Sequence, residues 1–410
     1  MMDKEDMSKE ELLKYIETLE KRVGLTWNKN SYIKDGSNPI LEEVFVKRLE
    51  STYSGCNTLY EGDNILTLKE LIRTATLFDF IYIDPPYNKH KDIYSYTDNF
   101  KIDANSDKHS KWLSFMEERL LFSRKLMKDT GIVVISIDES EYAHLKLLCD
   151  SIFKKSNFIA SLIWVKSKVI KTNSKFFSNN HEYILVYAKK KSECAFRGDL
   201  RTEETISNWY QNKDNDARGL WTRGSITSIT YSEKNDYELR FKNGKVYRLK
   251  DGKSWKYPLS KMLELENDNR ISFEPNMPRL KKFLNEMGEY TTPISILEKP
   301  EFYSQIAYDE IIKVFGKSVF KFAKPVDLVA YLIDKIDNNN ASILDLFGGS
   351  GTTIEATMKL NIRDSSNRCF TVCNNNENKI CEEITYNRAV YTYNNYRPFN
   401  LRYIKVTPEN

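Results

Sequence analysis

The chain has 410 residues, of which 40% are apolar and 29% are charged, and its formal net charge is +4. This composition predicts a globular protein of two or three domains and excludes an intrinsically disordered chain. The chain lacks an apolar run of about 18 residues and starts with a highly charged segment, so we expect neither a membrane span nor a signal peptide. Its six scattered cysteines and four histidines lack zinc-site spacing, which predicts reduced cytosolic thiols and no metal site.

The first predicted element is a short amphipathic helix within residues 9–22, where apolar side chains recur at helical spacing. We treat residues 1–25 as a separate helical segment. Residues 26–189 then alternate apolar strands with helices, which predicts βαβ units and a parallel sheet. The predicted strands are 78–83, 132–137, 158–165 and 183–188, and the predicted helices are 111–128 and 141–153.

Residues 190–290 are dominated by polar and charged side chains. Two alternating segments, 237–241 and 245–249, surround an Asn-Gly pair, a pattern typical of a β-hairpin. We therefore predict an inserted module of small strands and loops. Seven basic side chains and one acidic side chain occur between residues 240 and 256, a distribution that suits either DNA contact or a solvated surface.

Residues 291–390 return to the α/β pattern, and residues 391–410 are predicted to be a C-terminal tail. The predicted elements are a helix at 326–336, a strand at 342–346, a helix at 352–360 and a strand at 370–373. The strand at 342–346 leads directly into a loop of small residues. Strand, glycine turn and helix in this order form the general arrangement for binding a nucleotide-type ligand at a sheet edge.

This loop consists of Phe347, Gly348, Gly349, Ser350, Gly351, Thr352 and Thr353. The dinucleotide fingerprint requires a third glycine where this chain has Ile354, and the absence of a Gly-Lys-Ser/Thr sequence excludes a P-loop. The N-terminus of the following helix favours a carboxylate, such as the one in S-adenosylmethionine. The alternative is a glycine turn that only packs.

A second motif, Asp84-Pro85-Pro86-Tyr87, follows the buried strand at 78–83. An aromatic amine is a poor nucleophile until its nitrogen becomes more tetrahedral. The Asp84 carboxylate and the Pro85 carbonyl can accept hydrogen bonds from such an amine and favour that geometry, while Tyr87 can stack on a base extruded from the duplex. A proline-rich strand terminator with a solvated aspartate is the alternative.

Together these residues resemble the β-class amino-methyltransferases of DNA, and among them the modification (Mod) subunits of type III restriction–modification systems. In that class, as here, the catalytic motif precedes the cofactor motif. The resemblance covers nearly the whole chain. It rests on the ordered segments 61–64, 78–88, 96–100, 112–116, 181–187, 252–255, 324–325, 345–353 and 400–403.

The resemblance implies a Rossmann-like α/β methyltransferase core, S-adenosylmethionine as the cofactor and a homodimer. It implies adenine N6 as the target because the family usually pairs Asp-Pro-Pro-Tyr with adenine and Ser-Pro-Pro-Tyr with cytosine N4. It also implies that the 190–290 insert recognises the DNA target. The cofactor-binding candidates are Asp63, Asp84, Lys324, Pro325, Asp345, the residues from Phe347 to Thr353, and Asn374, with Glu377 as the alternative to Asn374 for the ribose hydroxyls.

Double-stranded DNA is the expected partner, and the resemblance adds a restriction subunit and a location in the bacterial cytoplasm at the nucleoid. Lysines suit contacts with DNA phosphates. A tryptophan can stack on a base, but packing in the protein core is at least as common a role for it. The candidates are Lys166, Lys168, Lys171, Lys175, Lys253 and Trp255. Three alternatives stay open: a DNA-specificity subunit with little catalysis, a cytosine-N4 methyltransferase, and an RNA or nucleotide target.

Overall fold

The computed structural model describes residues 38–53, 55–89, 108–170, 174–250, 252–273 and 277–409. The helix predicted within residues 9–22 and the segment at 96–100 lie outside these ranges. The chain divides into two compact units. The core unit consists of Met1–Arg197 and Ile294–Asn410, and the inserted unit consists of Gly198–Pro293.

The strands are numbered in chain order. They are β1 (Pro39–Glu43), β2 (Asn57–Glu61), β3 (Phe78–Ile83), β4 (Met127–Ile137), β5 (Phe158–Val165), β6 (His181–Ala188), β7 (Asp199–Leu200), β8 (Trp221–Gly224), β9 (Thr227–Ser228), β10 (Leu239–Arg240), β11 (Val246–Tyr247), β12 (Ser254–Trp255), β13 (Ile271–Phe273), β14 (Pro278–Phe283), β15 (Tyr290–Thr291), β16 (Ile296–Leu297), β17 (Ser342–Asp345), β18 (Cys369–Asn374) and β19 (Leu401–Pro408).

The α-helices of the described residues are α1 (Asn64–Arg73), α2 (Lys108–Leu126), α3 (Tyr142–Cys149), α4 (Glu203–Trp209), α5 (Leu259–Asn267), α6 (Ser304–Phe315), α7 (Val326–Ile333), α8 (Thr352–Arg363) and α9 (Tyr386–Asn395). A π-helical turn, Asp150–Lys154, continues α3. The strands and helices predicted between residues 78 and 188 are therefore confirmed, with small differences at their ends. None of these helices is long and apolar enough to cross a bilayer.

The core unit is built on a ten-stranded sheet with the order β1-β19-β2-β18-β17-β3-β4-β6-β5-β16. The predicted Rossmann-like α/β core is confirmed, because β19, β2, β18, β17, β3 and β4 run parallel to one another. The sheet also contains antiparallel strands. Strand β6 lies antiparallel between β4 and β5, and β1 is antiparallel to β19. Strand β6 can reverse direction because two antiparallel neighbours such as β5 and β6 need no crossover helix between them.

Apolar side chains cover both faces of the sheet, because its central strands are continuous apolar runs. Phe80 and Tyr82 belong to a core layer that includes α7 and α8, whereas Ile81 and Ile83 belong to the opposite layer, formed with α1, α2 and α3. This alternation is the normal period of two along a strand that is buried on both faces. The result is a three-layer arrangement whose loops meet at the carboxyl edge of the parallel strands.

The interpretation of residues 391–410 as a tail is wrong. Helix α9 extends to Asn395, and β19 pairs with both β1 and β2 inside the large sheet. Leu401, Tyr403 and Ile404 are buried, so this segment contributes to the core. Arg402 and Lys405 interrupt the apolar residues of this strand, which explains why the sequence alone did not reveal it.

The inserted unit consists of short strands and two helices around a small apolar core that contains Ile226, Leu239, Phe241, Trp255 and Met262. The predicted hairpin is confirmed in shorter form, because β10 pairs antiparallel with β11 and Gly244 takes a positive φ of 82° in the turn. The first and last strands of the unit, β7 and β15, pair with each other. The first and last residues of the inserted unit therefore lie next to each other.

Candidate active site

The two motifs singled out in the sequence lie at the same edge of the large sheet. Strand β3 leads into Asp84, and the neighbouring parallel strand β17 ends at Asp345, which is paired with Tyr82. Because parallel strands present their carboxyl ends at one edge, the loops that follow β3 and β17 are neighbours. The 84–87 loop and the 347–353 loop thus lie side by side, although 262 residues separate the strand ends Ile83 and Asp345 (345 − 83).

The Asp84 carboxylate is bound by Lys324, whose Nζ lies 2.8 Å from each of its two oxygens. The Tyr87 hydroxyl lies 2.9 Å from Asp84 Oδ1 and accepts a hydrogen bond of 3.0 Å from Lys324 Nζ. Burial and the adjacent Asp84 charge raise the pKa of Tyr87 well above its ordinary value, so the hydroxyl stays protonated and can donate. Lys324 and Tyr87 together fix the orientation of the aspartate.

A second carboxylate, Glu182 on β6, completes this network. Its Oε2 is 3.1 Å from the Tyr87 hydroxyl and 3.7 Å from Lys324 Nζ, while its Oε1 accepts a 3.0 Å hydrogen bond from Lys166 Nζ. Burial alone would raise the pKa of Glu182, but the Lys324 and Lys166 charges outweigh it, so the pKa is lowered. For Lys324, burial is outweighed by the Asp84 and Glu182 charges, and its pKa is raised. The positive charges of the two lysines therefore compensate the negative charges of Asp84 and Glu182 in a largely buried network.

The prolines of the 84–87 loop are held from the side of α2. The Trp112 indole, which is fully buried, donates a hydrogen bond of 2.6 Å to the Pro86 carbonyl. Asn88 follows the loop with a φ of 60° and donates from its side-chain amide to Glu141 Oε1 at 2.6 Å. The loop is consequently braced on both sides of Tyr87, and this rigidity suits a site that has to position a reacting nitrogen.

The glycine-rich loop passes close to the neighbouring strand β18. A Cβ on Gly348 would collide with the Val372 side chain, and Gly349 and Gly351 take positive φ angles of 49° and 82°. Gly351 is the N-cap of α8 and contributes no side-chain hydrogen bond. The Ile354 N–H donates to the Gly351 carbonyl, and the N–H groups of Thr352 and Thr353 can bind an acceptor. The donors of this loop therefore fit a carboxylate.

Buried polar side chains hold this loop in shape. Asp345 accepts hydrogen bonds from the Phe347 N–H at 2.9 Å and from the Thr353 hydroxyl at 2.5 Å, and burial raises its pKa to about 7. The fully buried Arg388 guanidinium reaches the hydroxyls of Ser350 and Thr352, each at 3.2 Å. These contacts fix the conformation of the loop.

The loop is also joined to the network around Asp84. The Thr352 hydroxyl donates a 3.2 Å hydrogen bond to the backbone carbonyl of Lys324, and Pro325 is the N-cap of α7. A displacement of the glycine loop would therefore move the lysine that binds Asp84. The sequence did not single out Glu182 or Arg388. The available signal for Glu182 was an acid inside an otherwise apolar strand.

Two other cofactor candidates have structural partners. The buried Asn374 amide donates to the Gly349 carbonyl at 3.1 Å and to the Thr385 hydroxyl at 2.7 Å, so Asn374 supports the glycine loop. Asp63 caps α1 by accepting from the Ile65 N–H at 2.9 Å and forms an ion pair with Arg119. Glu377 is exposed in a short helical turn after β18.

The DNA-contact candidates are dispersed. Lys166 points to Glu182 in the catalytic network, and its selection for phosphate contact is corrected because its ammonium is bound by a buried carboxylate. Lys168 forms an exposed ion pair with Glu298 at 2.8 Å, and Lys175 is exposed. Lys171 lies outside the described residues.

The remaining two candidates belong to the inserted unit. Lys253 is exposed. Trp255 is fully buried, and its indole N–H donates to the Tyr237 carbonyl at 2.9 Å. Its selection as a base-stacking residue is therefore wrong, because the ring fills the core of the inserted unit.

Comparison with known proteins identifies relatives over most of the chain. The Mod subunit of the type III restriction-modification enzyme StyLTI of Salmonella typhimurium is 30% identical over 89% of this chain and 60% of its own length. The EcoPI Mod subunit of Escherichia phage P1 is 31% identical over 87% of this chain and 64% of its own length. The type II methyltransferase M.KpnI of Klebsiella pneumoniae is 31% identical over 88% of this chain and 93% of its own length.

The chain thus spans less than two thirds of either Mod subunit, but nearly all of M.KpnI. A family model described as DNA methylase, of the N6/N4 type, matches residues 78–387. This match runs from the first residue of β3 into α9 and includes both the Asp84 loop and the glycine loop. On this evidence, the chain belongs to the N6/N4 DNA methylase family and is similar to the Mod subunits of type III restriction–modification systems.

Proposed function

We propose that this chain transfers a methyl group from S-adenosylmethionine to N6 of adenine in double-stranded DNA, as the modification component of a restriction–modification system. The observation that carries the proposal is the position of Asp84 beside the glycine loop, in a network with Lys324, Tyr87 and Glu182. Membership in the N6/N4 DNA methylase family supports the reaction class, and the aspartate at position 84 favours adenine.

The chemistry follows from what an exocyclic amine needs. One amine hydrogen can be accepted by the Asp84 carboxylate and the other by the Pro85 carbonyl, which draws the nitrogen toward a tetrahedral geometry and makes its lone pair available. Lys324 orients Asp84, and one carboxylate oxygen is proposed to turn to the amine. Tyr87 offers an aromatic ring to an extruded base, since the amine is unreachable inside a base pair.

The glycine loop fits the proposed cofactor. The uncapped N-terminus of α8 suits the methionine carboxylate, and the buried side chains of Arg388 and Asp345 fix the loop around it. When bound, S-adenosylmethionine supplies a methyl group that its sulfonium already activates. The link from Thr352 to Lys324 would align this loop with Asp84.

We propose that the inserted unit selects the DNA sequence. Its basic side chains are exposed around the β10–β11 hairpin, as expected of a surface that contacts phosphates. These side chains are Arg240, Lys242, Lys245, Arg248, Lys250, Lys253 and Lys256. Lys168 and Lys175 are the corresponding candidates in the core unit.

The proposal includes a homodimer, a restriction subunit as partner and a location at the bacterial nucleoid. The likeness to Mod subunits of type III restriction-modification enzymes supports the restriction subunit. Light scattering of the purified chain tests the dimer, and co-purification with a tagged restriction subunit tests the partner. A monomeric chain that still methylates DNA would contradict the dimer alone.

The proposed reaction is tested with tritiated S-adenosylmethionine, duplex DNA and nucleoside analysis of the product. We expect N6-methyladenine with the wild-type chain and a loss of at least about a hundredfold with Asp84→Ala. Asp129→Asn is the matched control, because Asp129 is an exposed carboxylate paired with Lys190 at the surface. N4-methylcytosine as the product would show the cytosine alternative, and DNA binding without methylation would show a specificity subunit.

A further inference from the structure

A cluster of metal-ligating side chains lies behind the catalytic loop, in the core unit. His109 is in the first turn of α2, Glu141 is the N-cap of α3, and His144 follows in the first turn of α3. His109 Nδ1 lies 2.6 Å from Glu141 Oε1, and His144 Nδ1 lies 2.9 Å from Glu141 Oε2. The two imidazole rings have centroids 4.9 Å apart.

The burial of the three side chains is uneven. Glu141 is completely buried, whereas the side chains of His109 and His144 are 41% and 37% exposed. A buried carboxylate requires a compensating positive charge. Among the described residues, the groups that contact the Glu141 oxygens are two imidazoles and the Asn88 amide, so a positive charge beside this carboxylate has to come from the imidazoles or from a bound cation. A cation held between the imidazoles and the carboxylate would provide that charge, and the exposed rings leave it a path from solvent.

The donor set indicates which cation. Two imidazole nitrogens and one carboxylate oxygen are ligands that suit late first-row divalent ions, with Zn²⁺ the most common in proteins. One ligand atom from each residue can be chosen so that all three lie within 4.8 Å of one another. Tetrahedral zinc requires ligand atoms about 3.3 Å apart, so a bound ion would draw the three side chains closer together. The two rings are partly exposed, which leaves them room to move.

We propose that His109, Glu141 and His144 bind one divalent transition-metal ion of the zinc type, with water in the remaining position. The site does not depend on the proposed function. It has a consequence for the catalytic loop, because Asn88 directly follows Tyr87 and its amide is bound to Glu141. An ion here would tie the start of α2 to α3 and hold the residue that closes the 84–87 loop.

The test is equilibrium dialysis of the full-length chain, stripped with a chelator, against Zn²⁺ alone and Co²⁺ alone. The background is Cys56→Ser, because Cys56 is an exposed thiol that could bind zinc. We expect one equivalent of metal per chain, and a loss of affinity of at least about tenfold in His109→Ala and in His144→Ala. His181→Ala is the matched control, since this histidine packs edge-on against Tyr183 outside the cluster.

Two further measurements make the result independent of folding defects. The Co²⁺ complex of the Cys56→Ser chain should show ligand-field absorption without a thiolate charge-transfer band. Glu141→Gln, which preserves the shape of the side chain, should weaken the binding of Zn²⁺ while circular dichroism stays unchanged. Equal affinity in the His109, His144 and His181 variants, or no bound metal at micromolar concentrations, would overturn the proposal.

Discussion

Lys324 Nζ contacts both carboxylate oxygens of Asp84 at 2.8 Å, although the two residues are 240 positions apart in the chain. Lys324 belongs to the part of the core that carries the glycine loop, and Asp84 belongs to the part that precedes the inserted unit. The ion pair therefore joins the two halves of the proposed active site. Because Lys324 is buried and Asp84 is only partly exposed, removal of either partner unbalances the charges of the network.

We first predict that Lys324→Met lowers kcat by about a hundredfold or more, because Asp84 loses the group that orients it. Without the Lys324 charge, the carboxylates of Asp84 and Glu182 repel each other and lack compensation, which should lower the free energy of unfolding by about 3–5 kcal/mol. Methylation kinetics and urea unfolding measure the two effects. Lys359→Met is the control, since Lys359 forms an exposed ion pair with Asp327. Equal kcat values for the two variants would contradict the role given to Lys324.

Glu182→Gln is expected to reduce kcat about tenfold with little change in cofactor affinity. The substitution keeps the shape of the side chain but removes the charge that Lys166 and Lys324 share, so Lys324 and Tyr87 shift relative to Asp84. Steady-state kinetics and a direct cofactor-binding titration separate the two quantities. The matched control is the exposed Glu193→Gln. An unchanged kcat in Glu182→Gln would show that Glu182 only packs.

The third prediction concerns Asp345, whose pKa burial raises to about 7. An unfolded aspartate titrates near pH 3.9, so between about pH 4 and pH 7 the folded state holds more protons than the unfolded state. The contribution of Asp345 is fully present below the unfolded pKa and is lost as the pH rises through the folded pKa.

From pH 5.5 to pH 8 the wild-type chain should therefore lose about 2 kcal/mol through this carboxyl group, and Asp345→Asn should lack that loss. Urea unfolding of both chains at the two pH values is the measurement. The same dependence on pH in both chains would show that another group is responsible.

A fourth prediction concerns the glycine loop. Gly348→Ala introduces a Cβ into the Val372 side chain, which should cost about 1–3 kcal/mol and weaken cofactor binding about tenfold or more. Gly288→Ala is the control, because a Cβ at that position meets no heavy atom within 4 Å. Thermal unfolding and a titration with S-adenosylmethionine provide the readouts, and similar cofactor affinities in the two variants would exclude the proposed loop.

The sequence predicted those elements whose residue types are compatible with only one kind of local structure. The apolar run at 78–83, which ends at two prolines, indicated a buried strand. The loop after residue 346 requires glycine because its backbone takes positive φ angles and passes close to a neighbouring strand. Strand direction carries no such signal, because β6 has the same pattern of side chains whether it runs parallel or antiparallel to β4. Strand β19 was missed because Arg402 and Lys405 interrupt its apolar positions, so the sequence shows no continuous apolar run there.

The site residues divide in a similar way. Asp84 and the glycines were identified because local chemistry demands them. Lys166 and Trp255 were misassigned because a lysine or a tryptophan in sequence does not reveal its partner, which here is a buried glutamate in one case and an apolar core in the other. Glu182 and Arg388 were overlooked because their roles depend on contacts with residues far away in the chain.

The pairing of β7 with β15 gives the inserted unit adjacent entry and exit points, Leu200 beside Tyr290 and Asp199 beside Thr291. A module with paired ends can be exchanged for another of different length while the catalytic sheet keeps its strands and register. If the unit reads the DNA target as proposed, recombination at these two points would give a methylase a new recognition sequence in one step, with Asp84, Lys324 and the glycine loop inherited unchanged.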